Sequence, residues 1–387
     1  MSTLFRQSDN NTPKTALIMP GGGARAAYQV GVLKALAQVT NNNVDNPFPI
    51  LCGTSAGAIN AVALASREEN FQQSCQWLEE LWMELQTEHV YRSDWTGMIR
   101  NTWRLFLSLV NSGIAVGRPV ALLDNLPLKQ MLREKIDFSG ISRNLQTQKL
   151  SAVCVTAMNY TEGVSVSFYQ GGPESADWLR WRRQGIPTPL QLRHILASTA
   201  IPTIFPPQRI GRNYYGDGAL RQLTPISPAL HLGAEKILII STTGHKREYD
   251  KPYRRIHSPA FGQIIGHLLN SAFVDSLETD IELLEKINEL LKLTGAETKN
   301  PEGRSIQPID IQVISPSEDI DSLAEEYAAG LPASIRALLK ITGGSSSDGG
   351  VNIASYLLFT RDFCQRLIDL GYKDGHDQAE EVMTLFR

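Results

Sequence analysis

The 387-residue chain is short of several things, and each shortage closes a route. Its four cysteines, Cys52, Cys75, Cys154 and Cys364, are scattered and include no C-x-x-C pair. That spacing argues against a disulfide framework or a structural zinc site and fits a reduced compartment. No apolar run approaches the roughly 18 unbroken residues that a spanning helix needs. The N-terminal MSTLFRQSDNNTPK is polar and lacks the apolar centre of a secretory signal, which leaves the cytoplasm as the expected location. Excess charge of either sign is missing too. Lysine and arginine total 37 against 40 acidic residues, a net of −3, so a nucleic-acid partner has no electrostatic basis. No internal repeat and no cluster with metal-ligand spacing occurs, so neither metal nor cofactor is expected.

What is there reads as an ordinary globular interior: 42% apolar and 20% charged residues, enough for one large domain or two. Residues 15–19 and 49–52 read as short buried strands, each followed by a glycine-containing turn and a helix. FQQSCQWLEELWMELQ (71–86) carries Phe71, Cys75, Leu78, Trp82 and Leu85 at helical spacing. SAVCVTAMNY (151–160) and GVSVSFYQG (163–171) alternate like strands, with Thr161 and Glu162 between them as a hairpin turn. Residues 190–207 read as a helix ended by prolines, and 213–242 as a strand end, a turn, a helix and a buried strand. Strands alternating with helices over about the first 240 residues indicate an α/β fold with a largely parallel sheet. Later, Leu277, Ile281, Leu284, Asn288 and Leu291 share one face of a long helix. A strand (309–315), the linker GGSSSDGG (343–350) and a helical stretch (351–370) follow. The expected organisation is a disordered segment (1–14), a catalytic domain (15–243) and a mainly helical C-terminal extension (244–387) packed against it.

Three short blocks carry chemistry. PGGGARAAYQVGVLKAL (20–36) puts Gly21, Gly22, Gly23 and Arg25 between a strand and an amphipathic helix. Free N–H groups at such a helix start suit a nucleotide phosphate or the oxyanion formed when a nucleophile attacks a carbonyl. The glycines alone do not choose. GGGAR lacks the lysine of a P-loop and follows G-x-G-x-x-G only as far as Ala26. The second block, Gly53-Thr54-Ser55-Ala56-Gly57, matches G-x-S-x-G, in which a tight strand-to-helix turn projects a serine hydroxyl. A serine needs a base. Of the seven histidines (His89, His194, His231, His245, His257, His267 and His376), none sits in a recognisable catalytic context, and His245 is the best of them. The third block, YYGDGALRQ, offers Asp217 with Gly218 and Ala219. Alone it reads as a turn aspartate. Its ordinary pKa of about 3.9 makes a weak base, which desolvation in an apolar cleft would strengthen.

Taken in order, GGGAR (21–25), GTSAG (53–57) and DGA (217–219), with LASTAIPTIFPP (196–207) leading into the last, resemble the bacterial patatin-like phospholipase family over about residues 15–240. The resemblance implies a three-layer α/β/α sandwich with a mostly parallel central sheet. It implies Ser55 as nucleophile, Asp217 as its base, and an oxyanion hole from the Gly21–Gly23 amides with Arg25 nearby. Gly53, Gly57, Gly218 and Ala219 support these motifs. One position departs from the pattern: Ala26 stands where the family usually has glycine. Alanine suits a first helical turn there and would be strained if the position needed positive φ.

The implied activity is hydrolysis of acyl lipids, phospholipids above all, through an acyl-enzyme. The alternatives are acyl transfer by the same residues and a catalytically silent lipid- or nucleotide-binding regulator. Two stretches bear on a membrane partner. Residues 101–116 read either as a lid or interfacial segment or as a buried helix with a loop. DWLRWRRQG (177–185) interleaves Trp178 and Trp181 with arginines, as an anionic membrane surface would favour. A solvated helix start with half-buried tryptophans is the preferred reading of that segment. A transient contact with the inner face of a membrane is the corresponding expectation.

Overall fold

The structure is a computed structural model. It describes residues 14–40, 45–110, 119, 121–172, 178–222, 224–244, 264, 276–294, 307–342 and 353–386. The apolar runs near the N-terminus form strands buried on both faces, as parallel strands under helices require. In β1 (Thr15–Met19), Leu17 and Met19 enter one core while Ala16 and Ile18 enter the other. The same alternation holds in β2 (Ile50–Thr54), β3 (Ala152–Asn159) and β9 (Lys236–Ile240). With β10 (Asp310–Ile314) these strands run parallel in the order β10-β9-β1-β2-β3. A mixed flank continues the sheet beyond β3: β4 (Val164–Gly171) pairs antiparallel with β3, β6 (Arg183–Pro187) parallel with β4, and β5 (Leu179–Arg180) antiparallel with β6. The hairpin of β7 (Gln208–Ile210) and β8 (Asn213–Asp217) joins through β8, which pairs antiparallel with the last three residues of β3.

Helices close both faces, giving the three-layer α/β/α sandwich. On one side lie α1 (Ala27–Val39), α2 (Ala56–Ala65) and α3 (Phe71–Glu84). The Asn70 side chain caps α3 by accepting from the Gln73 N–H at 2.9 Å, and its apolar face buries the residues that the periodicity marked. On the other side, Ile226, Ala229 and Leu232 pack with Leu277, Ile281 and Leu284 of a long helix at Ser276–Thr294. A helix at Arg361–Asp377 lies over α1. There Asp374, itself buried, accepts from the Tyr28 hydroxyl at 3.0 Å and from the Ser317 N–H at 2.9 Å. Residues 310–314 and 361–377 therefore share the sheet and core of residues 15–240.

Three segments differ from the sequence reading. Within 190–207 only Leu192–Ser198 is helical. The carbonyls that follow are spent on tertiary partners: Ala200 accepts from the Asp217 N–H, and Thr203 and Ile204 from Leu122 and Leu123. Residues 178–187 are no helix start but the β5–β6 hairpin, in which Trp178 is buried and stacked on Tyr169 while Trp181 is exposed. Arg182 at its tip takes φ 60°, the left-handed region a tight turn demands. Within 351–370, helix occurs at Ala354–Leu357 and again from Arg361, with extended residues between. Residues 1–13 and the linker 343–350 lie outside the described residues, as do 111–116 of the 101–116 segment; its remainder belongs to a helix at Trp95–Val110.

Asp374 accepts from one buried hydroxyl and from the Ser317 N–H, so Asp374→Ala is expected to lower stability by about 1–3 kcal/mol, and Asp374→Asn, which keeps one acceptor, by less. Urea unfolding midpoints of the three proteins measure this, and equal midpoints would contradict it.

Candidate active site

Strand register assembles the site. β2 ends opposite β3 at the pair Thr54–Thr156, and one residue further along β3 the same flank is taken by β8, with Asp217 facing Ala157. Ser55 follows directly on Thr54, so the chain ends of two strands meet on one edge of a third. The Ser55 hydroxyl donates to Asp217 Oδ2 at 2.6 Å, joining residues 162 apart in sequence.

Ser55 sits at φ 55°, ψ −128°, a conformation that costs a non-glycine residue about 1–3 kcal/mol and persists only where the surroundings impose it. Two fixings are visible. Its N–H donates to Ser198 Oγ at 2.8 Å, and Ser198 in turn donates to the Thr156 carbonyl at 2.6 Å. On the other side α2 begins at once, and Gly57 packs so closely that a Cβ there would stand 2.0 Å from the Met19 carbonyl oxygen. Gly53, the first glycine of the elbow, lies within β2. Thr54 Oγ1 donates to Gln222 Oε1 at 2.6 Å, tying the elbow to the segment after Asp217.

Asp217 is fully buried. Oδ1 accepts the Ala219 N–H at 3.0 Å, and Gly218 opens the short 3-10 turn that brings this N–H round. Burial pushes the carboxyl up to about 7, and the bonds from Ser55 and Ala219 only partly oppose it. Tyr160, whose hydroxyl borders Gly216, is pushed up to about 12 by burial and by Asp217.

The glycine loop follows β1 on the same sheet edge. The Gly21 carbonyl accepts from Thr242 Oγ1 at 2.7 Å, and the Gly22 carbonyl from the Arg25 N–H at 3.1 Å. Gly23 has φ +56°, and a Cβ on it would meet the Tyr356 carbonyl oxygen at 2.2 Å, so both backbone and space demand glycine. Ala26 lies at φ −68° at the start of α1, where alanine carries no strain. The Arg25 guanidinium does not turn toward Ser55. It is buried, donates to Asp321 Oδ1 at 2.5 Å and to Ser355 Oγ at 2.6 and 2.9 Å, and lies 4.1 Å from the Tyr356 ring centre.

Among the described residues no histidine bonds Ser55 or Asp217. His194 is buried against Phe168, accepts the Gln191 N–H at 3.0 Å, and is lowered to about 4 by burial, then by Arg193. His231 contacts the Ser227 carbonyl. His245, His257 and His267 lie outside the described residues. Ser198, Asp321 and Ser355 escaped the sequence reading, because an isolated serine or aspartate far from any motif gives no spacing to read. The described residues contain no cluster of three or more His, Cys, Asp or Glu side chains suited to a metal ion. Nor do they contain a helix long and apolar enough to cross a membrane.

A family model, Patatin-like phospholipase, matches residues 17–230, and the chain belongs to that family. Three solved structures are similar at low identity. Human GIVD cytosolic phospholipase A2 is 13% identical, with 99% of this chain and 64% of that one covered and a TM-score of 0.46. VipD from Legionella pneumophila is 12% identical, with coverage of 96% and 67% and a TM-score of 0.35. For the type III effector protein ExoU the identity is 14%, the coverage 95% and 53%, and the TM-score 0.33. The chain spans less than two thirds of the human protein's length. No curated protein matches it in sequence.

The Asp217 carboxyl titrates near 3.8 when unfolded and near 7 when folded. Between these values the folded state holds the extra proton, so stability falls as pH rises through the window and the penalty is complete above it. Asp217→Asn removes the penalty. Its melting temperature is expected to exceed wild type at pH 8, by the equivalent of a few kcal/mol, with the gap closing toward pH 4. A gap independent of pH would refute the assignment.

Proposed function

We propose that the protein is a serine hydrolase that cleaves acyl esters of lipids, phospholipids foremost, through a Ser55–Asp217 dyad and an acyl-enzyme. The observation that carries this reading is the 2.6 Å bond from the Ser55 hydroxyl to a carboxyl whose burial lifts it to about 7. A base in that range is about half ionised at neutral pH and basic enough to accept a proton as the hydroxyl attacks.

In this reading Ser55 Oγ forms a bond to the ester carbonyl carbon while its proton passes to Asp217. The carbonyl oxygen becomes an oxyanion. For it, the first N–H groups of the glycine turn are the candidates, since the start of a helix leaves them without intrahelical acceptors. Among the described residues the Gly22 and Gly23 N–H groups donate to no backbone carbonyl outside their own turn, whereas the Ser55 N–H is already committed to Ser198. Collapse of the intermediate breaks the bond to the leaving alkoxide, which takes the proton from Asp217. Water then repeats the sequence on the acyl-enzyme, with Asp217 as base, releasing the fatty acid and restoring Ser55. Arg25 supports the loop through Asp321 and Ser355 and does not itself contact the oxyanion. No step calls for a metal or cofactor. A reduced, cytoplasmic setting belongs to the same reading and is supported by the four buried, unbridged cysteines.

Intact-mass analysis after exposure to an alkyl fluorophosphonate tests the nucleophile. One adduct is expected on wild type and none on Ser55→Ala, with Asp217→Asn labelling slower by about two orders of magnitude or more. A folded wild type that stays unlabelled with and without lipid vesicles would replace this reading by a silent lipid-binding role.

The pH profile tests the base. kcat/KM on a soluble ester is expected to rise through an apparent pKa near 7 and level off above it, because only ionised Asp217 accepts the proton. A flat profile across the neutral range would remove Asp217 from that role.

A further inference from the structure

Large exposed apolar side chains on a folded chain are ordinarily scattered singly. Here, among the described residues, they gather on three elements: the helix at Ser276–Thr294, and two others that each carry arginine. Leu179 and Trp181, both 76% exposed, stand on the β5–β6 hairpin, and Arg182 lies with its guanidinium 4.2 Å from the centre of the Trp181 ring. Arg180 lies beside them, whereas Arg183 turns to Thr224 Oγ1 and Asp280, and residues 178–187 contain no acidic side chain. The helix at Trp95–Val110 presents Trp95, Ile99 and Trp103 at intervals of four, more than half exposed at 53, 55 and 60%. Arg100 and Arg104 lie within the same helix.

Both arginine-bearing elements stand on the edge of the sheet that carries Ser55. The hairpin is placed there by register. Arg183 pairs with Ser165, and Ser165 faces Met158 near the C-terminal end of β3, so the tip at Trp181 and Arg182 lies where the parallel strands end. The helix is moored there by hydrogen bonds on two sides. Just before it, the Tyr91 hydroxyl donates to the Leu357 carbonyl at 2.9 Å, in the segment that packs Tyr356 on Gly23. Within it, the Asn101 side chain donates to the Leu122 carbonyl, Leu122 donates to Thr203, and three residues before Thr203 the Ala200 carbonyl holds the Asp217 N–H.

We infer that this rim docks the protein on an anionic lipid bilayer, with Leu179, Trp181 and the Trp95, Ile99 and Trp103 stripe entering the interface and the arginines meeting headgroup phosphates. Tryptophan favours the interface, whose headgroups satisfy its N–H while its ring meets the acyl boundary, and arginine forks onto phosphate oxygens. The charge argues for lipid over a second copy of the chain. An isologous contact through this rim would set its arginines against themselves, whereas an anionic surface neutralises them. The local excess of arginine stands out against a chain whose net charge is −3. The inference rests on the acyl-hydrolase reading only for the purpose of docking, because the surface so placed would present lipid ester groups to the Ser55 edge.

The test is co-sedimentation of the full chain with vesicles of phosphatidylglycerol and phosphatidylcholine in equal parts, and with phosphatidylcholine alone. Wild type, Arg180→Glu/Arg182→Glu and Trp181→Ser are compared, with hydrolysis of soluble p-nitrophenyl butyrate measured in parallel. Wild type is expected to bind the anionic vesicles selectively, and less so as salt rises. Each variant is expected to bind about tenfold more weakly or worse while hydrolysing the soluble ester as wild type does. Absence of wild-type binding, or variants that bind as wild type, would overturn the inference. So would light scattering that finds a vesicle-free dimer dispersed by Trp181→Ser, since the rim would then be a contact between copies. Vesicle binding without ester hydrolysis would leave docking standing and remove the hydrolase reading. Ester hydrolysis without vesicle binding would do the reverse.

Discussion

A carboxyl group sealed from water, with one serine hydroxyl and one backbone N–H for company, is the constraint on which the site depends. Two hydrogen bonds are too few to compensate a buried charge fully, so the Asp217 proton affinity rises toward neutrality. The same burial makes the group costly to the fold and useful as a base. Everything around it serves to hold that arrangement: the takeover of the β3 flank by β8, the positive-φ turn at Ser55, and the close seat of α2 against β1. If any of these loosened, water would reach the carboxyl and its affinity would fall back toward that of an ordinary aspartate.

Ser55 and the glycine loop follow different strands, β2 and β1. The Ser55 amide is held by Ser198. The shape of the glycine loop is fixed from outside the first 240 residues. Tyr356 presses on Gly23, and Asp321 and Ser355 hold the Arg25 guanidinium, which lies deep enough that leaving it unpaired would be expensive. Thr242, at the end of β9, steadies Gly21 from the other side.

How much of this was legible in the sequence follows from how local each signal is. Glycine, serine and aspartate blocks announce themselves within a few residues, so Ser55, Asp217 and the loop are legible as candidates, together with the α/β order and the face of the helix at Phe71–Glu84. Arg25 is legible too, but not its direction. A side chain on a 3-10 turn can face either way, and its partners lie 296 and 330 residues on. The hairpin at residues 178–187 reads as a helix start because its two tryptophans and three arginines have no period-two alternation. Edge pairing with β4 decides its conformation, and that is a non-local fact. The helix at Leu192–Ser198 fell short of its apparent length because tertiary donors claim the carbonyls after it.

The long reach of Arg25 has a consequence for biosynthesis. A chain leaving the ribosome exposes the glycine loop first, Ser55 soon after, and Asp217 162 residues beyond Ser55. The ion pair and hydroxyl that steady the loop arrive only with Asp321 and Ser355, 296 and 330 residues after Arg25. Closing loops of that span is slow compared with forming a helix or a hairpin. The nascent protein therefore carries Ser55 and the glycine loop well before the residues that fix the loop, and segments made much later set the shape of earlier ones.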